Sequence, residues 1–178
     1  IKRLNIKPEI SYQSVYYDDT PNLNEGELGY FNGKKELNTL AGNLRAEFLA
    51  FGKLRLISAI RAEKYNYPDQ WQPSWQFAGT LPLSENTLLR AVYSRANRSS
   101  FIINSQSDYL WDRSSRHMFP QEVHFGGNKD YDLMTTDMVE IGFRARPAQN
   151  VLIDTEFFVS ENRDFGALLP FYSTVAFP

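Results

Sequence analysis

Several groups of residues in this 178-residue chain have the chemistry to bind something. Arg61, Glu63, Arg90, Arg98, Glu140 and Arg144 could hold an anionic ligand, or could pair with one another or with a charged neighbour. Trp71, Trp75 and Trp111, with Tyr65, Tyr67 and Tyr109, could stack on sugar rings. An aromatic belt at a membrane interface uses the same residue types, and that reading suits Trp75 and Tyr93. Asp18–Asp19 and Asp130–Asp132 offer oxygen ligands of the kind Ca²⁺ prefers, but without EF-hand spacing, so they read as solvated carboxylates. His117 and His124 share one polar stretch. No Ser/His/Asp order, phosphate loop or paired-carboxylate motif stands out, so no catalytic residue, metal site or cofactor is assigned.

The elements that must position these residues alternate with period two. Leu54, Leu56, Ser58, Ile60 and Ala62 fall on one side of a strand over 53–65; Arg55, Ile57, Ala59, Arg61 and Glu63 fall on the other. The same pattern gives Leu44, Ala46 and Phe48 against Arg45 and Glu47 over 43–50. It gives Leu89, Ala91 and Tyr93 against Arg90, Val92 and Ser94 over 87–97. Val139, Ile141 and Phe143 oppose Met138, Glu140, Gly142 and Arg144 over 135–145. Further strands are expected over 6–17, 74–82 and 151–161, with pairing of the first starting after Pro8 because proline cannot donate to a ladder.

Between these seven strands the connections alternate in length. Long loops are expected near 18–42, 66–73, 98–133 and 162–178, and tight turns at 51–53, 83–86 and 146–150. An up-and-down meander collects all the turns at one end and all the loops at the other, the layout of a bacterial outer-membrane barrel. Ten residues tilted by about 45° climb roughly 23 Å, close to the apolar band such a barrel needs. The expected fold class is therefore all-β, an antiparallel meander forming a fragment of a transmembrane β-barrel. An arginine facing lipid near the midplane costs about 2–4 kcal/mol, so Arg45, Arg55, Arg61, Arg90 and Arg144 must all face the lumen.

Composition is compatible with this reading. There are 19 basic and 21 acidic residues, a net charge of -2, and this near-neutral balance argues against a nucleic-acid binder. Aromatic residues are 15% of the chain, which suits strands and interfacial belts but also a carbohydrate-binding sandwich. The absence of cysteine excludes disulfides and thiolate metal sites. No apolar run reaches the roughly 18 residues of a transmembrane helix, which leaves a barrel open. The two ends, IKRLNIKPEI and STVAFP, read as cuts in a longer protein.

Three segments, in order, carry a resemblance. AIRAEKYNYPDQWQPSWQF resembles the strand–loop–strand element of TonB-dependent receptors, and LLRAVYSRANRSS resembles their L-R-A-S-Y-S-R-A-F-R-x-P segment. GGNKDYDLMTTDMVEIGFRARPAQNVLIDTEFFVSENRDF resembles their N-P-x-L-K-P-E…Y-E-L-G-Y element with its following strand. The resemblance spans about residues 42–165. Ser99–Ser100 and Asp130–Tyr131–Asp132 depart from the family's proline-containing pattern, which bears on the shape of the long loop.

The resemblance implies a barrel of 22 strands filled by a plug domain, residing in the outer membrane of Gram-negative bacteria. It implies uptake of a scarce nutrient, a siderophore, glycan or similar small molecule, with energy passed by TonB through the plug. The chain, 1–178, would be about a third of such a wall without its plug, and its partners would be the plug, the ligand and outer-membrane lipid. Trp71, Tyr109, Trp111, His117 and His124, in the long loops, are the ligand-binding candidates. In haem-taking members a histidine lies in the same interval as His117 and His124, although both also read as ordinary loop residues. Arg61, Glu63, Arg90, Arg98, Glu140 and Arg144 form the expected lumen-facing wall. The alternative is a secreted or periplasmic all-β carbohydrate-binding module; a surface hydrolase domain ranks far behind.

Overall fold

The computed structural model describes residues 4–25, 27–112, 122–166 and 171–173. In chain order the described strands are β1 (Leu4–Tyr17), β2 (Lys35–Ala50), β3 (Leu54–Tyr65), β4 (Trp71–Ser84), β5 (Thr87–Asn97), β6 (Asp108–Asp112), β7 (Glu122–Gly126), β8 (Thr135–Ala148), β9 (Val151–Arg163) and β10 (Phe171–Ser173). One short helix, α1 (Ile102–Gln106), precedes β6. Seven strands make one antiparallel sheet in the order β1-β2-β3-β4-β5-β8-β9; the others make a three-stranded sheet ordered β10-β7-β6. The large sheet is a meander interrupted once, between β5 and β8, where α1 and the β6–β7 hairpin are inserted.

Register keeps like with like across this wall. Leu44, Ile60 and Trp75 lie in one cross-strand row. Phe48, Leu56, Gly79, Ala91, Ile141 and Phe157 make another that crosses six strands. Because opposed residues of an antiparallel pair share a face, these rows build one apolar wall. Arg45, Arg55, Arg61, Arg90 and Arg144 occupy the other parity and share the opposite, charged wall. The apolar wall is open: Ile10 is 82%, Phe157 72% and Val159 77% exposed. Leu37, Ala41, Tyr65 and Val92, all on the charged wall, are buried, so that wall is the more enclosed.

The turns are short for identifiable reasons. Phe51 and Gly52 both have positive φ, 49° and 71°, and the Lys53 amide donates to the Ala50 carbonyl at 3.2 Å. This is the I′ geometry whose twist matches the strands it joins. Prolines fall where the ladder tolerates them. The register slips at Pro82/Ser84 and again between Ala145 and Ala148, around Pro147. The Asn97 side-chain amide donates to the Pro73 carbonyl at 2.7 Å.

Four boundaries differ from the sequence reading. Pairing of β1 runs through Pro8, opposite Leu44, back to Leu4 opposite Phe48. β1 is an edge strand of the described sheet, and an edge proline can turn its missing donor away from the ladder. β2 begins at Lys35, inside the stretch read as loop, because Leu37 and Ala41 bury themselves on the charged wall. β4 begins at Trp71 rather than after it. The described residues of the 98–133 stretch are not all irregular: they include α1, β6 and β7, and β10 pairs with β7. Its polar composition hid the pairing, since short strands outside an apolar core need no strict alternation.

Candidate functional site

Two regions concentrate polar chemistry, the charged wall and the cap formed by the long connections. On the wall, ion pairs interlock along and across strands. Arg55 reaches Glu47 at 2.8 Å while Arg45 takes its other oxygen. Arg61 donates to Glu63 at 2.9 Å, and the Tyr65 hydroxyl donates to the second Glu63 oxygen at 3.1 Å. Arg90 is held by Glu140 and, at 2.6 Å, by Glu156 across the side-chain-free surface of Gly142. Arg144 donates to Asp154 at 2.9 Å. Such half-exposed pairs each contribute little, but together they fix long side chains in place. Arg98 is not part of this wall. It follows the last residue of β5, its amide donates to the Met134 carbonyl at 2.8 Å, and its guanidinium stacks over Phe101 at 4.9 Å.

The cap is tied together by point contacts. Asp19, read as a solvated carboxylate, is instead buried, and its oxygens accept the backbone N–H groups of Phe31, Asn32 and Gly33 at 2.8, 3.1 and 2.8 Å. The Phe31 N–H, then those of Gly33 and Asn32, hold its carboxyl below the ordinary aspartate range. Gly29 is obligatory beside it, since a Cβ there would lie 2.1 Å from an Asp19 oxygen. The loop so folded reaches β6: the Asp108 amide donates to the Tyr30 carbonyl at 2.8 Å, and the Asn32 side chain donates to the Asp108 carbonyl at 2.7 Å.

Three rings from three segments stack there. Tyr30 and Tyr109 have centroids 4.7 Å apart, and Tyr109 and Phe125 6.1 Å. Next to them the His124 imidazole lies 2.7 Å from an Asp108 oxygen. That hydrogen bond, with a weaker one from Asn32, keeps the Asp108 carboxyl low. Ser100 ties the cap to the β3–β4 connection, bonding to the Tyr67 carbonyl and meeting the Tyr131 hydroxyl at 3.0 Å.

The structure gathers Tyr109 and His124 into one place, but not the rest of the loop set. Trp71 is the first residue of β4, opposite Lys64, at the loop end of the apolar wall. Trp111 pairs with Val123 in β6–β7. His117 lies outside the described residues. Among the described residues no cluster of three metal-ligating side chains occurs. The sequence reading missed Tyr30 and Asn32 and took Asp19 for a solvated carboxylate. The Asn32–Gly33 pair, with φ of 50° and 116°, was the available signal, a turn that a preceding carboxylate could cap.

It also missed a second ionic group, on the apolar wall. Arg95 donates through two nitrogens to Asp137 at 2.7 Å each, Arg163 bonds to the same carboxylate, and the Trp75 ring lies 4.6 Å from Arg95. Continuing the alternation one step past Tyr93 and one before Val139 would have found it.

No family model matches this chain, and no curated protein matches it. A solved structure does: the siderophore receptor PirA from Acinetobacter baumannii, with a TM-score of 0.72 over 91% of this chain at 13% identity. This chain folds as a segment of a β-barrel wall. The match spans 25% of that receptor's length. At 13% identity the likeness is one of architecture, an antiparallel meander with almost no helix.

Proposed function

We propose that this chain forms part of the wall of an outer-membrane, TonB-dependent receptor that takes up a scarce nutrient. The observation that carries this is the distribution of charge. Among the described residues the apolar wall bears charged residues only at its loop end: Glu36, Lys64, Arg95, Asp137, Glu161 and Arg163. All the rows beneath them are uncharged. A water-facing sheet has no reason to keep one face free of charge over all but its loop end, whereas a face against acyl chains must. The opposite wall, with its interlocked Arg and Glu, would then face the lumen and the plug. The outer edges of β1 and β9 would pair with further strands of the barrel, since open edges are excluded in lipid.

In this reading the cap lies outside the membrane and makes the first contact with ligand, a siderophore, glycan or similar small molecule. Transport, not chemistry, is the role of this segment, driven by the plug and TonB. A carbohydrate-binding sandwich would need a second sheet over the apolar wall, and the three-stranded sheet packs at the loop end instead. The test is made on the full-length protein. It should fractionate with outer membranes, need detergent for extraction, and support TonB-dependent uptake of a ferric siderophore or glycan. Full-length protein soluble without detergent would overturn the proposal.

A further inference from the structure

Asn32–Gly33 is the one Asn–Gly pair in the chain. In water that dipeptide undergoes a slow reaction of its own. The glycine backbone nitrogen attacks the carbonyl carbon of the asparagine side chain. The new C–N bond closes a succinimide ring, and the side-chain nitrogen leaves as ammonia. Water then opens the ring to an aspartyl or isoaspartyl carboxylate. Glycine favours the attack because it has no side chain to crowd the nitrogen, and asparagine counts as thermolabile.

In the closed cap each group this reaction needs is already engaged. The attacking nitrogen, Gly33 N–H, donates to Asp19 at 2.8 Å. A negative charge beside that N–H opposes the deprotonation that attack requires. The Asn32 amide oxygen accepts the Gly29 N–H at 2.9 Å, which ties it within the same loop. Its NH2 group donates to the Asp108 carbonyl at 2.7 Å and to the Asp108 carboxylate at 3.3 Å. Asn32 is nevertheless exposed, so water for the second step is at hand.

We infer that Asn32–Gly33 is a deamidation site held unreactive by Asp19 and Asp108 while the cap is closed, and that deamidation after the cap opens makes the opening permanent. The product lacks what relatching needs. A carboxylate at position 32 has no N–H for the Asp108 carbonyl and meets the Asp108 carboxylate as a like charge. His124 already occupies the other oxygen of Asp108. An isoaspartyl linkage also adds a carbon to the backbone of a turn whose φ values, 50° and 116°, aim three N–H groups at Asp19. The inference concerns the cap alone and does not depend on the wall lying in a membrane.

The test ages full-length protein at mildly alkaline pH and follows residue 32 by peptide mass spectrometry. A synthetic peptide of residues 28–36 serves as the unfolded reference. Native protein should deamidate there roughly tenfold more slowly than the peptide, which corresponds to about 1.4 kcal/mol of cap closure. Asp19→Ala should return the rate to that of the peptide. Asn32→Asp, which carries the product's charge from the start, should leave the 18–34 connection open to protease with unfolding of the wall unchanged. Native protein reacting as fast as the peptide, or Asp19→Ala reacting as slowly as native protein, overturns the gate. A protease-resistant connection in Asn32→Asp overturns the permanence.

Discussion

The wall and the cap are built by opposite means from the same chain. The wall is a continuous ladder in which every strand registers against the next over nine or more residue pairs, and its side chains sort by parity alone. The cap is held by single contacts between residues far apart: Asp19 with Phe31–Gly33, Tyr30 with Tyr109, Asn32 with Asp108, Gln106 with the Glu36 carbonyl at 2.7 Å. Redundancy makes the wall tolerant of any one lost polar contact. The cap has no such reserve, so it is the part of the described structure expected to open first.

The sharpest way to break this contrast is to violate the wall's one strict rule. Ile141→Arg places a charge in the middle of the apolar wall and should destabilise the full-length protein by about 2–4 kcal/mol, measured by urea unfolding from lipid vesicles. The same charge at Thr135, directly opposite Arg163 at the loop end, should cost less than this even with the like-charge repulsion it meets there. Equal costs at the two positions would mean the apolar wall does not face lipid.

In the cap the largest effect should come from Asp19. Asp19→Ala strands three backbone donors, and Gly29→Ala drives a methyl into the carboxylate. Either should expose the 18–34 connection to protease while leaving barrel unfolding unchanged. The carboxylate's value is depressed on folding, so its contribution is complete above the ordinary value of 3.8 and is lost as pH falls through the lower folded value. Cap protection against hydrogen exchange should therefore fall in acid before the wall's does, and Asp19→Asn should flatten that dependence.

A smaller change is expected from Tyr109→Leu, which removes both ring stacks. At about 0.5–1.5 kcal/mol per aromatic pair, local opening of β6–β7 should increase without loss of the barrel. Smallest of all is Arg144→Gln. Its pairing with Asp154 is exposed and near the turn end, and no change in unfolding midpoint is expected.

Legibility in the sequence followed the same division. The parity of Leu54 through Glu63 was readable because each residue in a half-exposed strand must satisfy one of two environments, so identity reports orientation. The five arginines of the charged wall were placed by that rule. It failed for Arg95, Asp137, Glu161 and Arg163 because the rule changes at the loop end of the strands, and composition does not mark that height. Trp71 and Lys35 were misplaced for a related reason: at strand ends the polar residues of loop and ladder are alike.

The sequence by itself determined the alternation, the all-β class and the long-short rhythm of connections, since these depend on local stereochemistry and on which side chains tolerate water. Only the tertiary structure decided that Asp19 is a buried staple, that Tyr30, Tyr109 and Phe125 share a stack, and that Asp137 joins two arginines from neighbouring strands. Each of those contacts links residues separated along the chain, and their energies depend on distances of a few ångströms that no local pattern encodes.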